Sequence, residues 1–233
     1  MATQTVNRPS GKDIQAITFD VGGTLIQPWP SVGHVYAEVA ARHGLKNFSA
    51  EQLNARFKNA WRARPGFAHS RNGWEELVIE VFRPAPIPPG FFAELYERFA
   101  EPGVWHIFED VLPILDALAS REIKLAVISN WDERLRPLLH KLKLDSYFEA
   151  FAISIEVGFP KPSTVIFEHA AAKLGLPPSA ILHVGDSLEM DVQGARAAGL
   201  QALQIHRRPE PAEHRIHSLG DLMPILENRN HDN

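Results

Sequence analysis

Short apolar runs alternate with amphipathic helical stretches, and this alternation constrains the fold more than any other feature. The apolar runs are residues 15–20, 123–129, 150–155, 180–185 and 200–205. Helical patterns precede the second to fifth runs, at residues 113–120, 133–142, 164–174 and 189–198. Gly175 and Gly199 are expected to end the last two helices, and His183, inside the fourth run, is expected to be a buried structural residue. The rhythm predicts a parallel α/β sheet, that is, a Rossmann-like core.

The interval between the first two runs is too long for a crossover helix and carries helical patterns of its own. Ser31 can cap one helix, and Ser49 with Gln52 forms a capping-box pattern for another. Residues 91–100 predict a third helix after a proline-rich loop. The expected division is a Rossmann-like core domain of residues 1–28 and 105–233, with a helical cap domain inserted at residues 29–104.

Composition excludes several classes of protein. The 233 residues include no cysteine, which excludes disulfides, thiolate zinc sites and a cysteine nucleophile. The net charge of −4 gives no reason to expect nucleic acid or an anionic membrane as a partner. Residues 1–13 lack the apolar core of a signal peptide, and no apolar run reaches membrane-spanning length. These features predict a cytoplasmic protein, with a disordered tail at residues 228–233.

Four polar segments lie at the carboxyl ends of expected strands. They are residues 20–24, Ser129-Asn130, the loop 158–162 with Lys161, and Gly185-Asp186 continuing to Asp191. Because the carboxyl ends of parallel strands meet at one edge of a sheet, which is where ligands bind, these segments are expected to converge on one site.

The residue types in these segments suit phosphoryl transfer. The Asp20 carboxylate can attack phosphorus and form an aspartyl-phosphate. Asp20 and Asp186 together could hold Mg²⁺, which favours a few carboxylates with waters and phosphate oxygens. Ser129 and the Lys161 ammonium would stabilise the charge on the transferring group. A small phosphorylated molecule is therefore the expected partner.

The same segments, in this order and spacing, resemble the four motifs of the haloacid dehalogenase superfamily of hydrolases. The resemblance extends over residues 15 to about 207, and the insert resembles the C1 cap of that family. Within the insert, residues 32–37 and the pair His43-Gly44 resemble one C1-capped branch of the dehalogenase-like hydrolases. The resemblance implies a Rossmann-like core, a hydrolase activity and a bound Mg²⁺.

For catalysis, the resemblance implies that Asp20 is the nucleophile. It implies that Ser129 binds phosphate and that Lys161 neutralises it. Thr24 is implied to support the first loop, and Thr24 and Asn130 are further candidates for substrate binding. For the metal, the resemblance implies ligation by the residues Asp20, Gly22 (through its backbone carbonyl) and Asp186, with Asp191 ordering the metal shell or the lysine.

Gly22 departs from the family pattern. Phosphatases of this family usually have an aspartate there, which protonates the leaving group and later activates water. The chain could be a phosphatase in which a cap residue or water substitutes. It could be a dehalogenase, since a halide leaves without a proton, although dehalogenases lack an acid such as Asp186 and carry a large aromatic residue in place of Gly22. It could also bind a phosphate metabolite or a partner with little or no turnover.

Overall fold

A computed structural model describes residues 14–64, 66–207 and 215–227. The expectations for residues 1–13 and 228–233 lie outside the described residues. The strands are β1 (Ala16–Phe19), β2 (Ile26–Pro28), β3 (Trp105–Ile107), β4 (Lys124–Ser129), β5 (Ala150–Ile153), β6 (Ile181–Gly185), β7 (Gln201–Ile205) and β8 (Arg215–Ile216). The helices are α1 (Val32–Arg42), α2 (Ala50–Arg62), α3 (Arg71–Phe82), α4 (Phe91–Arg98), α5 (Val111–Ala119), α6 (Leu135–Lys141), α7 (Ser154–Val157), α8 (Thr164–Leu174), α9 (Gly194–Ala197) and α10 (Leu222–Glu227).

Among the described residues, six strands form one parallel sheet in the order β5-β4-β1-β6-β7-β8. The Rossmann-like α/β prediction is confirmed. β1 lies between β4 and β6, so the segments that follow these three strands are neighbours at the carboxyl edge. None of the helices among the described residues is long and apolar enough to cross a membrane.

The chain divides into two compact units. The first comprises residues up to Leu25, Phe108–Ser129 and the chain from Ser146 onwards, and it contains the parallel sheet. The second comprises Ile26–Ile107 and Asn130–Asp145. It holds the helices α1 to α4 and α6, together with a two-stranded antiparallel ribbon of β2 and β3.

Apolar packing in the first unit supports the carboxyl edge of the sheet. Helix α8 contributes Ile166, Phe167 and Leu174 to a buried cluster that includes Ala126 and Ile128 of β4. Burying a large apolar side chain stabilises a fold by roughly 1.5–3 kcal/mol. This packing fixes the end of β4, which carries Ser129, and the start of α8, which follows the loop with Lys161.

In the second unit, residues 130–145 are joined to the helical insert by polar and aromatic contacts. The indole N–H of Trp74 donates to Asp132 (2.8 Å), and the Arg134 guanidinium also binds Asp132. The same guanidinium lies 3.5 Å from the ring centroid of Tyr96, whose hydroxyl donates to Glu133 (2.7 Å). These contacts explain why the segment after β4 belongs to this unit.

Several predicted helix ends are confirmed. The Ser31 side chain accepts from the backbone of His34 at the start of α1, and Ser49 with Gln52 forms the predicted capping box of α2. Gly175 ends α8 with a left-handed backbone (φ 67°). These local signals are specified by two or three adjacent residues, which is why they could be recognised in the sequence.

The helix predicted at residues 189–198 is wrong in its first half. The chain forms a π turn at Leu188–Gln193, in which the backbone N–H of Val192 bonds to the Ser187 carbonyl (3.2 Å), and α9 begins only afterwards. The wide turn is held by the Asp191 carboxylate, which accepts a hydrogen bond from the Ser187 backbone N–H. No helix pattern encodes this contact. Helix α3 and the strands β2, β3 and β8 were also not predicted.

Candidate active site

Asp20 lies at the centre of a buried polar site, directly after β1. Its backbone N–H donates to the Val184 carbonyl (2.9 Å), so its position is fixed by pairing with β6. Ser129 Oγ donates to Asp20 Oδ1 (3.0 Å) and Thr24 Oγ1 to Oδ2 (3.4 Å). Burial raises the pKa of Asp20, and the charge of Lys161 opposes that rise. The carboxylate is therefore held in one orientation by two hydroxyl groups and a cation.

Lys161 is buried and reaches Asp20 from the loop between α7 and α8. Its Nζ donates to Asp20 Oδ1 (2.7 Å), to Asp191 Oδ1 (2.5 Å) and to the Ile128 carbonyl (3.1 Å). Burial acts to lower the pKa of Lys161, but the charges of Asp191 and Asp20 outweigh it and raise that pKa. The ammonium thus stays charged, and three acceptors fix its position.

Asp191 anchors this lysine and is itself held on every side. Its Oδ2 accepts from the Ser187 backbone N–H (2.9 Å), and His183 Nε2 lies 3.2 Å from its Oδ1. Burial acts to raise the pKa of Asp191, but the charge of Lys161 outweighs it and holds that pKa well below its usual range. A Cβ on Gly185 would collide with the Asp191 carboxyl group, so this glycine gives the aspartate its place at the end of β6.

Asp186 follows β6 and completes a cluster of three carboxylates with Asp20 and Asp191. One oxygen from each lies within 4.8 Å of the others. Asp186 is exposed as a residue, yet its carboxyl group lies against the first loop, 2.5 Å from where a Cβ on Gly23 would be, and is partly desolvated there. This desolvation, together with the charges of Asp20 and Asp191, raises the pKa of Asp186 to about 7. The other two acids of the cluster, Asp20 and Asp191, are both hydrogen-bonded to Lys161.

The cluster fits a hard divalent cation. Carboxylate oxygens are the ligands that such ions prefer, and a cation among them would relieve the repulsion that raises the pKa of Asp186. Asp191 is buried and both of its oxygens bind protein groups, whereas Asp186 is exposed. Asp186 is therefore better placed than Asp191 to ligate a metal beside Asp20.

The first loop turns beside the cluster. Gly23 has a left-handed backbone (φ 78°), and a Cβ there would lie 2.5 Å from Asp186 Oδ2. Only glycine combines this backbone with so close an approach. Gly22, one residue earlier, is partly exposed. Asn130, the remaining candidate for substrate binding, belongs to the second unit.

Arg207 supports the far end of this loop. Its guanidinium donates to the Thr24 carbonyl (2.6 Å) and forms an ion pair with Asp110 (3.0 Å). Asp110 in turn accepts from the Ser218 hydroxyl and the Leu219 backbone N–H. The loop that carries Asp20 is thus tied to the C-terminal part of the first unit.

Sequence reasoning brought the residues of the first unit together correctly in space but gave no role to His183 or Arg207. His183 was expected to be buried, and it is, yet its ring reaches Asp191. The available signal was a titratable residue within an otherwise apolar strand. Arg207 follows β7 with no motif around it, so nothing in the sequence pointed to its contact with Thr24.

The chain is also similar to known proteins. A family model described as haloacid dehalogenase-like hydrolase matches residues 14–199. A mouse (Mus musculus) protein, haloacid dehalogenase-like hydrolase domain-containing protein 3, is 33% identical over 239 residues, covering 92% of this chain and 94% of its own length.

Two solved structures are also similar. The HAD phosphatase from Thermococcus onnurineus is 26% identical with a TM-score of 0.67, covering 91% of this chain and 98% of its own. The 2-haloacid dehalogenase from Pseudomonas syringae pv. tomato is 25% identical with a TM-score of 0.63, covering 92% and 99%. The chain is therefore similar, over nearly its whole length, to hydrolases of two chemistries built on one scaffold.

Proposed function

Because the chain belongs to the haloacid dehalogenase-like hydrolases, we propose that it is a Mg²⁺-dependent phosphatase acting on a small phosphorylated metabolite through an aspartyl-phosphate on Asp20. The observation that carries this proposal is the presence of Asp186 in the carboxylate cluster beside Asp20. Two ionised carboxylates so close together repel each other, which costs free energy unless a cation binds between them. Phosphoryl transfer uses such a cation, whereas displacement of a halide does not.

The chain's own residues would supply the nucleophile and the charge stabilisation for both chemical steps. A carboxylate oxygen of Asp20 attacks phosphorus, and the bond to the leaving oxygen breaks. Ser129 donates a hydrogen bond to the oxygens that do not react, and the Lys161 ammonium neutralises their charge. Water then attacks phosphorus, the bond to Asp20 breaks, and inorganic phosphate leaves. The leaving oxygen and the attacking water must exchange their protons with solvent or substrate, because Gly22 provides no acid or base.

The proposed metal ligands are Asp20, Asp186 and the Gly22 carbonyl, with Asp191 assigned to Lys161. Mg²⁺ bound there would supply positive charge between the Asp20 carboxylate and an incoming phosphate. Residues 29–104 are proposed to be the cap domain that selects the substrate, and Thr24 and Asn130 remain candidates for contacts with it.

Removal of the metal is expected to abolish hydrolysis of p-nitrophenyl phosphate, and added Mg²⁺ should restore it. Asp186→Asn removes one proposed ligand charge, so it should raise the Mg²⁺ concentration needed for half-maximal rate by at least about 10–100-fold, the loss typical of damaged metal sites. The measurement is the initial rate across a Mg²⁺ titration after treatment with a chelator.

Glu189→Gln is the matched control, since it removes an acid of the same charge from an exposed position three residues along the chain. It should leave the Mg²⁺ titration unchanged. Full activity in excess chelator, or equal Mg²⁺ dependence in Asp186→Asn and the parent, would contradict the proposed metal site.

A 2-haloacid dehalogenase is the second candidate, favoured by Gly22, because a halide leaves without protonation. The two are separated by assaying p-nitrophenyl phosphate with and without Mg²⁺ beside 2-chloropropionate. Mg²⁺-dependent phosphate release supports the phosphatase. Chloride release that is independent of metal supports the dehalogenase. Silence in both assays, with measurable binding of inorganic phosphate in Mg²⁺, supports a binding protein.

A further inference from the structure

We propose that His183 is a positioning residue for the active-site lysine, acting through Asp191. The inference rests on the proposed function for its kinetic consequences, but the contacts that carry it are independent of any substrate. His183 Nε2 lies 3.2 Å from the same Asp191 oxygen that accepts from Lys161. A buried histidine in the strand beneath the site thus completes the support of the catalytic cation.

The sheet fixes this histidine. His183 of β6 is paired in register with Thr18 of β1, and both side chains are fully buried. Thr18 Oγ1 lies 2.9 Å from His183 Nδ1. The Phe167 ring packs edge-on against the imidazole, with 5.2 Å between ring centroids. The ring is therefore held at both nitrogens and on one side.

The contacts define the tautomer. The Asp191 carboxylate has no proton to donate, so the hydrogen must lie on His183 Nε2. Burial lowers the pKa of His183, which leaves the ring neutral. Nδ1 then accepts from the Thr18 hydroxyl. The result is a directed chain in which Thr18 donates to His183 and His183 donates to Asp191.

This chain sets the position of the lysine. Asp191 Oδ2 is fixed by the Ser187 backbone, and His183 fixes the direction of Oδ1. Lys161 must place its ammonium within reach of both Asp191 Oδ1 and Asp20 Oδ1. Loss of the histidine N–H would let the Asp191 carboxyl group turn, and Lys161 would then follow it away from Asp20.

The test compares two substitutions of the histidine. His183→Leu removes the donor and should lower kcat for p-nitrophenyl phosphate by about 10–100-fold, as loss of a group that orients a ligand typically does. His183→Gln keeps an N–H near the position of Nε2 and should recover most of the rate. In an Asp191→Ala background, which lacks the acceptor, His183→Leu should cause no further loss, because the two residues act as one unit.

Phe167→Leu is the packing control, since it disturbs the same buried ring without touching the carboxylate. It should lower the midpoint of thermal unfolding and cost kcat far less than His183→Leu, because both ring nitrogens keep their partners. Three results would overturn the proposal. They are equal kcat losses in His183→Gln and His183→Leu, additive losses of His183→Leu and Asp191→Ala, or an unchanged kcat with only a higher Mg²⁺ concentration needed for half-maximal rate.

A readout without substrate separates this proposal from the proposed function. Long-range ¹H–¹⁵N spectra of the histidine rings should show His183 as the Nε2–H tautomer in the parent protein, and Thr18→Val should shift its Nδ1 resonance. An Nδ1–H tautomer or a doubly protonated ring would overturn the inference even in an active enzyme. If the protein shows the expected tautomer but hydrolyses nothing, the inference about His183 stands and the proposed phosphatase function is rejected.

Discussion

Asp20→Asn is expected to abolish the hydrolysis of an activated aryl phosphate in the presence of Mg²⁺. The amide is a poor nucleophile and also removes a charge from the proposed metal site. The rate should fall by more than about 10³-fold, since loss of the nucleophile in covalent enzymes costs at least that much. The measurement is the single-turnover rate with p-nitrophenyl phosphate.

The fold should survive this change. Lys161 keeps its ion pair with Asp191, and the Asn side chain can still accept a hydrogen bond from Ser129. Thermal unfolding of Asp20→Asn should therefore lie close to that of the parent. Retained hydrolysis in a folded Asp20→Asn protein would remove Asp20 from the chemistry.

Gly22→Asp is expected to raise the rate, and to raise it most for substrates with basic leaving groups. Restoring an acid at this position would allow the leaving oxygen to be protonated and the attacking water to be activated, a contribution typically worth about 10²–10⁴-fold. For alkyl phosphates the gain should approach the upper value, and for p-nitrophenyl phosphate it should be small in the first step. The measurement is a plot of log rate against leaving-group pKa for both proteins.

The neighbouring glycine provides a matched control. Gly23→Asp introduces the same side chain one residue later, but Gly23 has a left-handed backbone and its Cβ would meet Asp186. This substitution should lose activity and lower the unfolding temperature. A parent enzyme with equal rates across leaving groups, and no gain from Gly22→Asp, would mean that another group already serves as the acid.

The absence of an acid at Gly22 also affects the second step. Without a group to activate water, breakdown of the aspartyl-phosphate should be slow relative to its formation from an activated substrate. The parent protein should therefore show a burst of p-nitrophenol followed by a slower steady state. Gly22→Asp should reduce the burst amplitude, because the intermediate would no longer accumulate.

Much of the first unit could be predicted because its signals are local. The apolar runs placed β1, β4, β5, β6 and β7 close to their observed positions, and parallel topology then implied that Asp20, Ser129 and Asp186 share an edge. The family and its C1-capped branch were also recognised correctly from the motifs. Lys161 could be placed through its motif, and Asp191 was expected to order the metal shell or this lysine. The contacts of Lys161 with Asp20 and with the Ile128 carbonyl could not be predicted.

What could not be predicted depends on contacts between distant residues. The π turn after β6 arises from hydrogen bonds to Asp191. The residues of this turn have a helical pattern, so the sequence gives no sign of these bonds. The grouping of residues 130–145 with the insert depends on Asp132 and Arg134 meeting Trp74 and Tyr96. The role proposed for His183 likewise requires the register of β1 against β6.

The phosphoenzyme itself provides the most direct test of the central claim, that Asp20 attacks phosphorus. The parent protein is mixed with p-nitrophenyl phosphate and Mg²⁺, quenched in acid and reduced with borohydride, which converts an aspartyl-phosphate to homoserine. Peptide mass spectrometry should find homoserine at position 20, and none after chelation of Mg²⁺. An unmodified Asp20 under conditions of active hydrolysis, or a phosphoryl group on another residue, would contradict the account.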